Sequence, residues 1–253
     1  MENKHPNYEI LNMIGYGLAK FGISFINHLG FHSKKSFYDY IIKSEIANSI
    51  GTVKNRQDLF DPFFDNGRKG WWQKGNTYIH RKILIDNLFG GLDSKEYSDV
   101  LKLYLVENSK VPANHDYKIS PIVKSKFKQL QLTGQEAEIY FIENYHKLPQ
   151  FKEGVIEDAR LFGDGYDFQI KVNSEYFLAE VKGVREPSGN IRITKIEYLK
   201  AKEYGDNYIL SIVSNLNNTP KISLVSNPLN NLTFIKKNSI NQQINYYSEN
   251  LTW

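Results

Sequence analysis

Cysteine is absent from the 253-residue chain. Its absence excludes a disulfide framework and any zinc site built on thiolate ligands. No apolar run approaches the roughly 18 residues that a membrane span needs, and the first residues lack the charged-then-apolar layout of a secretory signal. We therefore expect a cytoplasmic protein that does not associate with membranes.

A strong excess of charge of one sign is also missing. Lys and Arg number 32 against 28 Asp and Glu, which gives a net charge of +4. This mild basicity permits a nucleic-acid partner without requiring one. Positive charge is concentrated over residues 53–82, where seven basic side chains meet three acidic ones and alternate with aromatic residues. The distribution favours nucleic-acid contact in this stretch.

Hydrophobic spacing divides the chain into two regions. Helical spacing dominates 8–48, 77–88 and 94–106, and residues 111–114 form the best candidate linker. From Thr133 the pattern predicts the order α-β-β-β-α-β-β, with helices over 133–145 and 194–204 and strands over 155–161, 166–172, 176–181, 208–213 and 221–225. We predict a mainly α domain over 1–112 and an α/β domain over 116–253, with a mixed sheet flanked by helices.

Two carboxylates and a lysine fall on neighbouring predicted strands. Asp167 lies early in the second strand, and Glu180 and Lys182 lie in the third. Side chains at i and i+2 of a strand share a face, and a hairpin would bring Asp167 beside Glu180. Oxygen ligands of this kind suit Mg²⁺, for which Mn²⁺ can substitute, and the carbonyl of Val181 lies between the two inward side chains. Lys182 could orient the attacking water or neutralise charge on a phosphate.

An acid and a lysine two residues apart are common, and this chain also has such pairs at 2/4, 93/95 and 116/118. The alternative is therefore a solvated surface pair. The apolar context of Leu178, Ala179 and Val181 favours the catalytic interpretation, because it places Glu180 and Lys182 on a buried strand.

Five short segments together resemble a known family over about residues 130–215. They are Thr133-Gly-Gln-Glu-Ala-Glu138, Gly165-Tyr-Asp-Phe168, Glu180-Val-Lys-Gly183, Ile193-Thr-Lys-Ile-Glu197 and Gly205-Asp-Asn-Tyr208. Their joint spacing is similar to that of the NO VEIN C-terminal domain family. That family is a branch of the PD-(D/E)XK nucleases and is often fused to restriction and DNA-processing modules.

The resemblance implies a restriction-endonuclease-like fold and assigns roles to individual residues. It implies that Asp167 and Glu180 ligate the metal and that Lys182 is the catalytic lysine. The family's helix motif places Glu138 within reach of the metal or its waters. Glu197 falls on the family's glutamate after the core, and the alternative for it is an ordinary helix-face residue.

The stretch 36–62 hints at a helix-turn-helix, in which Thr52 would cap a short second helix. The alternative to a helix-turn-helix is a solvated helix in an ordinary bundle. The Trp71–Trp72 pair could either stack on bases or anchor a loop. We predict the following DNA-contacting residues: Lys54, Asn55, Arg56, Gln57, Arg68, Lys69, Trp71, Trp72, Lys74 and Arg81.

Taken together, the sequence predicts a site-specific restriction-type endonuclease that hydrolyses double-stranded DNA with Mg²⁺. Because each chain would carry one catalytic site, cleavage of both strands favours a homodimer. Two alternatives stay open at this point. One is a non-catalytic DNA-binding protein that retains a nuclease fold, and the other is a defence nuclease that acts on RNA or without a fixed site.

Overall fold

The computed structural model describes residues 7–108 and 121–236, so the predicted linker at 111–114 lies outside the described residues. The first part is helical, as predicted. Its helices are α1 (Tyr8–Phe21), α2 (Ile23–His28), α3 (Lys34–Lys43), α4 (Ile50–Phe60), α5 (Ile79–Phe89) and α6 (Ser94–Asn108), with 3-10 turns at Asp61–Phe63 and Trp72–Tyr78. In the described ranges, no helix combines the length and the apolar character that crossing a bilayer requires.

The second part is mixed α/β. Its elements are α7 (Pro121–Gln131), α8 (Thr133–Asn144), β1 (Val155–Asp158), β2 (Phe168–Val172), β3 (Glu175–Gly183), α9 (Lys195–Tyr204), β4 (Tyr208–Ser214), β5 (Lys221–Ser226) and α10 (Pro228–Asn231). The strands form one sheet in the order β1-β2-β3-β4-β5. The β3–β4 pair is parallel, and the other three pairs are antiparallel. The predicted element order from α8 to β5 and the mixed sheet are confirmed.

The predicted cap of α4 is wrong, and the threonine at the start of α8 is not a cap either. The hydroxyl of Ser49, not that of Thr52, caps α4 by accepting a hydrogen bond from the backbone N–H of Thr52. Thr133 is the first residue of α8 and not its cap, because the cap position falls on Leu132, which makes no side-chain bond there. Helix α4 therefore begins before Thr52, whereas α8 begins at Thr133, where the sequence pattern placed its start.

A first hydrophobic core fills the helical part, where α1 packs against α4 and α6. Aromatic rings dominate it, including the fully buried Tyr16, Phe25 and Tyr97. Phe127 of α7 joins this core and meets the ring of Tyr104 at 4.8 Å between centroids. Helix α7, which the sequence assigned to the 116–253 region, thus packs with the helical part.

A second core lies between α8 and one face of the sheet. Ala137 and Phe141 of α8 pack there on residues of β2, β3 and β4. Gly183 makes this approach possible, since a Cβ at that position would lie 2.6 Å from the carbonyl oxygen of Thr133. On the opposite face, Ala201 of α9 packs with Leu178 and Tyr208. Helix α9 therefore covers the sheet face to which Glu180 also belongs.

A buried polar network joins the helical part to the sheet. The carboxylate of Glu136, on α8, is 1% exposed, accepts a hydrogen bond from the Tyr8 hydroxyl at 2.7 Å and pairs with the guanidinium of Arg185. The guanidinium of Arg81, on α5, donates to the backbone carbonyls of Leu216 and Asn218, at 3.0 and 2.7 Å. Buried charges that are paired in this way fix how the two parts pack.

His80, which lies beside this network, makes the stability of the fold depend on pH. Burial, and after it the charge of Arg81, lower the pKa of His80 well below its ordinary value. As the pH falls below about 6.5, only the unfolded chain takes up a proton on this histidine. His80 therefore leaves the free energy of unfolding unchanged above that pH and lowers it increasingly below that pH. The expected slope from this one group is about 1.4 kcal/mol per pH unit.

We expect His80→Leu to reduce this acid-side slope, because the substituted side chain cannot bind a proton in either state. Urea unfolding of both proteins between about pH 7 and pH 5.5, just above and below the ordinary histidine pKa, measures the difference. Equal slopes for the two proteins would show that His80 does not carry the effect.

Candidate functional site

The register of β2 and β3 sets the position of the two predicted carboxylates. Phe168 pairs with Ala179, so the next facing positions are Asp167 and Glu180. Asp167 lies immediately before β2 and not inside a strand as predicted. Its backbone is nevertheless held on both sides, since its N–H donates to Ala179 at 3.0 Å and its carbonyl accepts from Ala159 at 2.8 Å. The two carboxylates therefore share one face of the sheet.

Lys182 lies on the same face of β3, two residues beyond Glu180. Its ammonium group contacts the carboxylate of Glu180 and lies 2.9 Å from Oε2 of Glu197. Glu197 is held in turn by a capping box at the start of α9, in which its carboxylate accepts from the backbone N–H of Thr194 at 2.9 Å. Glu197 thus both caps α9 and fixes the position of the Lys182 side chain.

A glycine brings the chain before Asp167 close to α9. Gly165 has φ +86°, a left-handed backbone conformation that glycine adopts without strain. A Cβ at this position would lie 2.9 Å from backbone atoms of Ile196, the residue before Glu197. The hydroxyl of Tyr208 donates to the Gly165 carbonyl at 2.9 Å and anchors the same loop. The loop with Asp167 and the helix with Glu197 therefore meet above the end of the sheet.

Burial governs the charge state of the carboxylate pair. Desolvation raises the pKa of Asp167, although a hydrogen bond from the Val181 N–H at 2.7 Å acts to lower it. The negative charge of Glu138 raises this pKa further. Desolvation, followed by the charge of Asp167, also raises the pKa of Glu180. A buried carboxylate beside a second negative charge retains a proton more readily than an isolated one, and a bound cation would relieve the repulsion between Asp167 and Glu180.

The lysine of the site keeps its charge. Burial by itself lowers the pKa of Lys182, but the carboxylates of Glu180 and Glu197 outweigh this effect and raise it. Lys182 is therefore an ammonium ion at neutral pH, suited to stabilising negative charge on a substrate.

The Val181 carbonyl lies on the same edge as the Asp167 carboxylate. The N–H and the carbonyl of one strand residue point to the same side of the strand. Because the Val181 N–H donates to Asp167, its carbonyl also faces the side on which β2 has already ended. Asp167, Glu180 and this carbonyl are hard oxygen donors, which fit a Mg²⁺ ion that keeps several of its waters. Within the described ranges, no group of three or more His, Cys, Asp or Glu side chains is arranged to hold a metal ion.

Glu138 lies at the edge of the site, where Arg160 binds it. The guanidinium of Arg160 donates to Glu138 at 2.8 Å, also pairs with Asp158, and lies over the ring of Phe168 at 5.2 Å. The sequence reasoning missed Arg160. The only signal for it was a basic side chain near the end of the first predicted strand.

The structure separates the predicted DNA-contacting residues by exposure. Five are exposed: Lys54, Asn55, Lys69, Trp72 and Lys74. Arg68 is half-buried and paired with two carboxylates, Asp58 at 2.7 Å and Asp61 at 2.9 Å. Arg56 and Trp71 are half-buried and line a cleft. The rings of Trp71 and Tyr78 lie 6.0 Å apart, so the first tryptophan packs inward while the second is 54% exposed.

Gln57 and Arg81 are removed from this set. Gln57 is 1% exposed and donates to the backbone carbonyl of Leu18, and Arg81 is 2% exposed and bound to the network described above. Neither side chain can reach a DNA surface in this fold. Helices α3 and α4 would be the two helices of the predicted helix-turn-helix. Gln57, one of the four residues of α4 predicted to contact DNA, lies on the buried face of that helix.

The fold and the site define a mixed α/β domain with a carboxylate pair and a lysine at one end of its sheet. The family described as Protein NO VEIN, C-terminal, matches residues 137–225, which run from α8 through β5 and include every residue of the site. This similarity suggests a nuclease-like domain. No curated protein and no solved structure matches the chain.

Proposed function

We propose that the protein is a Mg²⁺-dependent deoxyribonuclease of the PD-(D/E)XK class that acts as a site-specific restriction-type endonuclease. The observation that carries the proposal is the facing pair Asp167 and Glu180 with Lys182 on the same sheet face. The similarity of residues 137–225 to the NO VEIN C-terminal family supports it independently.

In the proposed mechanism, Asp167, Glu180 and the Val181 carbonyl hold the metal ion. An ion bound there would stabilise negative charge and would lower the pKa of the attacking water. The ammonium of Lys182 orients the attacking water and stabilises negative charge on the phosphate. Glu197 is a positioning residue, because it acts through Lys182. Glu138, held by Arg160, orders waters at the edge of the site.

Double-stranded DNA is the proposed substrate. The exposed Lys54, Lys69 and Lys74 would contact its phosphates, since no carboxylate of the described residues forms a salt bridge with them. One catalytic centre per chain supports a homodimer as the unit that cuts both strands.

A non-catalytic DNA-binding module is the second candidate. The direct contact between Lys182 and Glu180 favours it. In that protein the ammonium ion would replace the metal as the partner of Glu180.

Incubation with methylated and unmethylated plasmid separates the two candidates. We expect the wild type to cleave at least one plasmid in Mg²⁺ and neither in EDTA, and Glu180→Ala to abolish cleavage because it removes a metal ligand. Glu175→Ala, an exposed change at the opposite end of β3, is the matched control and should cleave like the wild type. A wild type that binds one DNA site but nicks neither plasmid in Mg²⁺ or Mn²⁺ would be the binding module.

A further inference from the structure

A cleft of about 370 Å³ opens between the helical part and the sheet, away from the carboxylate pair. One side consists of α4 and the segment from Trp71 to Tyr78, and the other consists of the turn between β4 and β5, at residues 217–219. Its size lies within the range of small-molecule sites, about 300–1,000 Å³. The residues that line this cleft include none of the proposed metal site and only Asn55 of the exposed basic surface.

The cleft has positive charge without a lining acid. Arg56 and Arg81 line it, and none of its described lining residues is Asp or Glu. Arg56 donates to Asn12 at 3.2 Å, whereas the buried Arg81 already has a carboxylate nearby, since its Nε lies 4.0 Å from Oε1 of Glu136. Burial, and after it the charge of Arg81, lower the pKa of Arg56 to about 10. An anion bound in the cleft would compensate the charge of Arg56.

The remaining walls offer an aromatic surface and amide groups. Trp71 and Tyr78 contribute the rings, and Asn55, Asn217 and Asn218 contribute the amides. Oδ1 of Asn217 is a buried acceptor that lacks a partner among the described residues. Aromatic rings stack on nucleobases, and side-chain amides pair with the donor and acceptor edges of bases.

We propose that this cleft binds a single nucleotide, with its phosphate paired to Arg56 and its base against Trp71 and Tyr78. A free mononucleotide and a nucleotide turned out of a DNA strand share this chemistry. The second source rests on the proposed function, because it requires DNA on the neighbouring surface. The exposed Lys54 and Asn55 at the start of α4 make that surface continuous with the cleft.

Calorimetric titration with the four deoxynucleoside monophosphates, without metal, tests the site itself. We expect at least one of them to bind about tenfold or more tightly than its nucleoside and than inorganic phosphate. Arg56→Gln and Asn55→Ala should each weaken that binding, the former by about tenfold, which is the scale of one charge-assisted hydrogen bond. Lys43→Gln, which removes an exposed charge outside the cleft, should bind like the wild type.

A second titration identifies the source of the nucleotide. A duplex with 2-aminopurine, titrated without metal, should gain fluorescence if a nucleotide is turned out into the cleft, and Asn55→Ala should remove the gain. Binding of mononucleotides without that gain assigns the site to a free nucleotide. Neither measurement requires cleavage, so an inactive nuclease leaves both readable.

Three results would overturn the proposal. One is the absence of both mononucleotide binding and the fluorescence gain. Another is binding of inorganic phosphate as tight as that of any nucleotide. The third is wild-type behaviour of both cleft variants, or of Asn55→Ala alone if Arg56→Gln fails to fold by circular dichroism.

Discussion

Replacing Lys182 with alanine is expected to lower DNA cleavage by about 10²–10⁴-fold, the usual contribution of a positioned acid–base group. The substitution removes the ammonium that would orient water and stabilise the phosphate, but it leaves Asp167 and Glu180 in place. DNA binding should persist, because one ammonium group is a small part of the total phosphate contact. Single-turnover cleavage and a gel-shift titration of the same protein measure the two effects.

Lys202→Ala is the matched control for this substitution, because Lys202 is exposed on α9 and makes no contact with the carboxylate pair. It should leave cleavage unchanged. If Lys182→Ala lost binding in parallel with cleavage, Lys182 would be a structural residue, and its proposed role would fail.

Replacing Glu136 with alanine is expected to lower the free energy of unfolding by about 3–5 kcal/mol. The carboxylate accepts from Tyr8 and pairs with Arg185, and its removal would leave a buried guanidinium without its main partner. Because these residues come from α1, from α8 and from the chain after β3, the loss should loosen the packing between the helical part and the sheet. Urea unfolding followed by circular dichroism measures the change.

Glu153→Ala, at an exposed position, serves as the control and should stay within about 0.5 kcal/mol of the wild type. A loss below about 1 kcal/mol for Glu136→Ala would mean that the network contributes specificity of packing and little stability.

The order of elements could be predicted because the signals are local. The alternation of apolar residues in β2 to β5 and the 3.6-residue spacing of α8 and α9 depend only on near neighbours. The same reasoning placed Glu180 and Lys182 on one face, since strand geometry requires it. Asp167 lies one residue before β2, and the end of a strand can shift by a residue or two according to how its hydrogen bonds are counted.

The burial of charged and polar residues could not be predicted. Arg81 bonds to carbonyls 135 and 137 residues further along the chain, and no short-range pattern reports such partners. Glu136 and Glu138 are two residues apart on α8, yet the first faces the helical part and the second faces Arg160. Helical spacing shows that they point in different directions, but only the packing of α5 on α8 decides which of them becomes buried.

The cleft depends on tertiary structure to the same extent. Its lining residues run from Thr52 to Thr219 and come from both parts of the chain. The sequence predicted nucleic-acid contacts at Asn55, Arg56, Trp71 and Arg81 from their chemistry, but it could not show that these residues line one cavity.

The most direct measurement of the central claim is an anomalous difference map from a crystal soaked in Mn²⁺. The proposed site predicts one peak between the carboxylates of Asp167 and Glu180, within coordination distance of the Val181 carbonyl, and no such peak in Glu180→Ala. A fully occupied Mn²⁺ peak elsewhere, with none at these carboxylates, would contradict the assignment of this sheet end as the metal site.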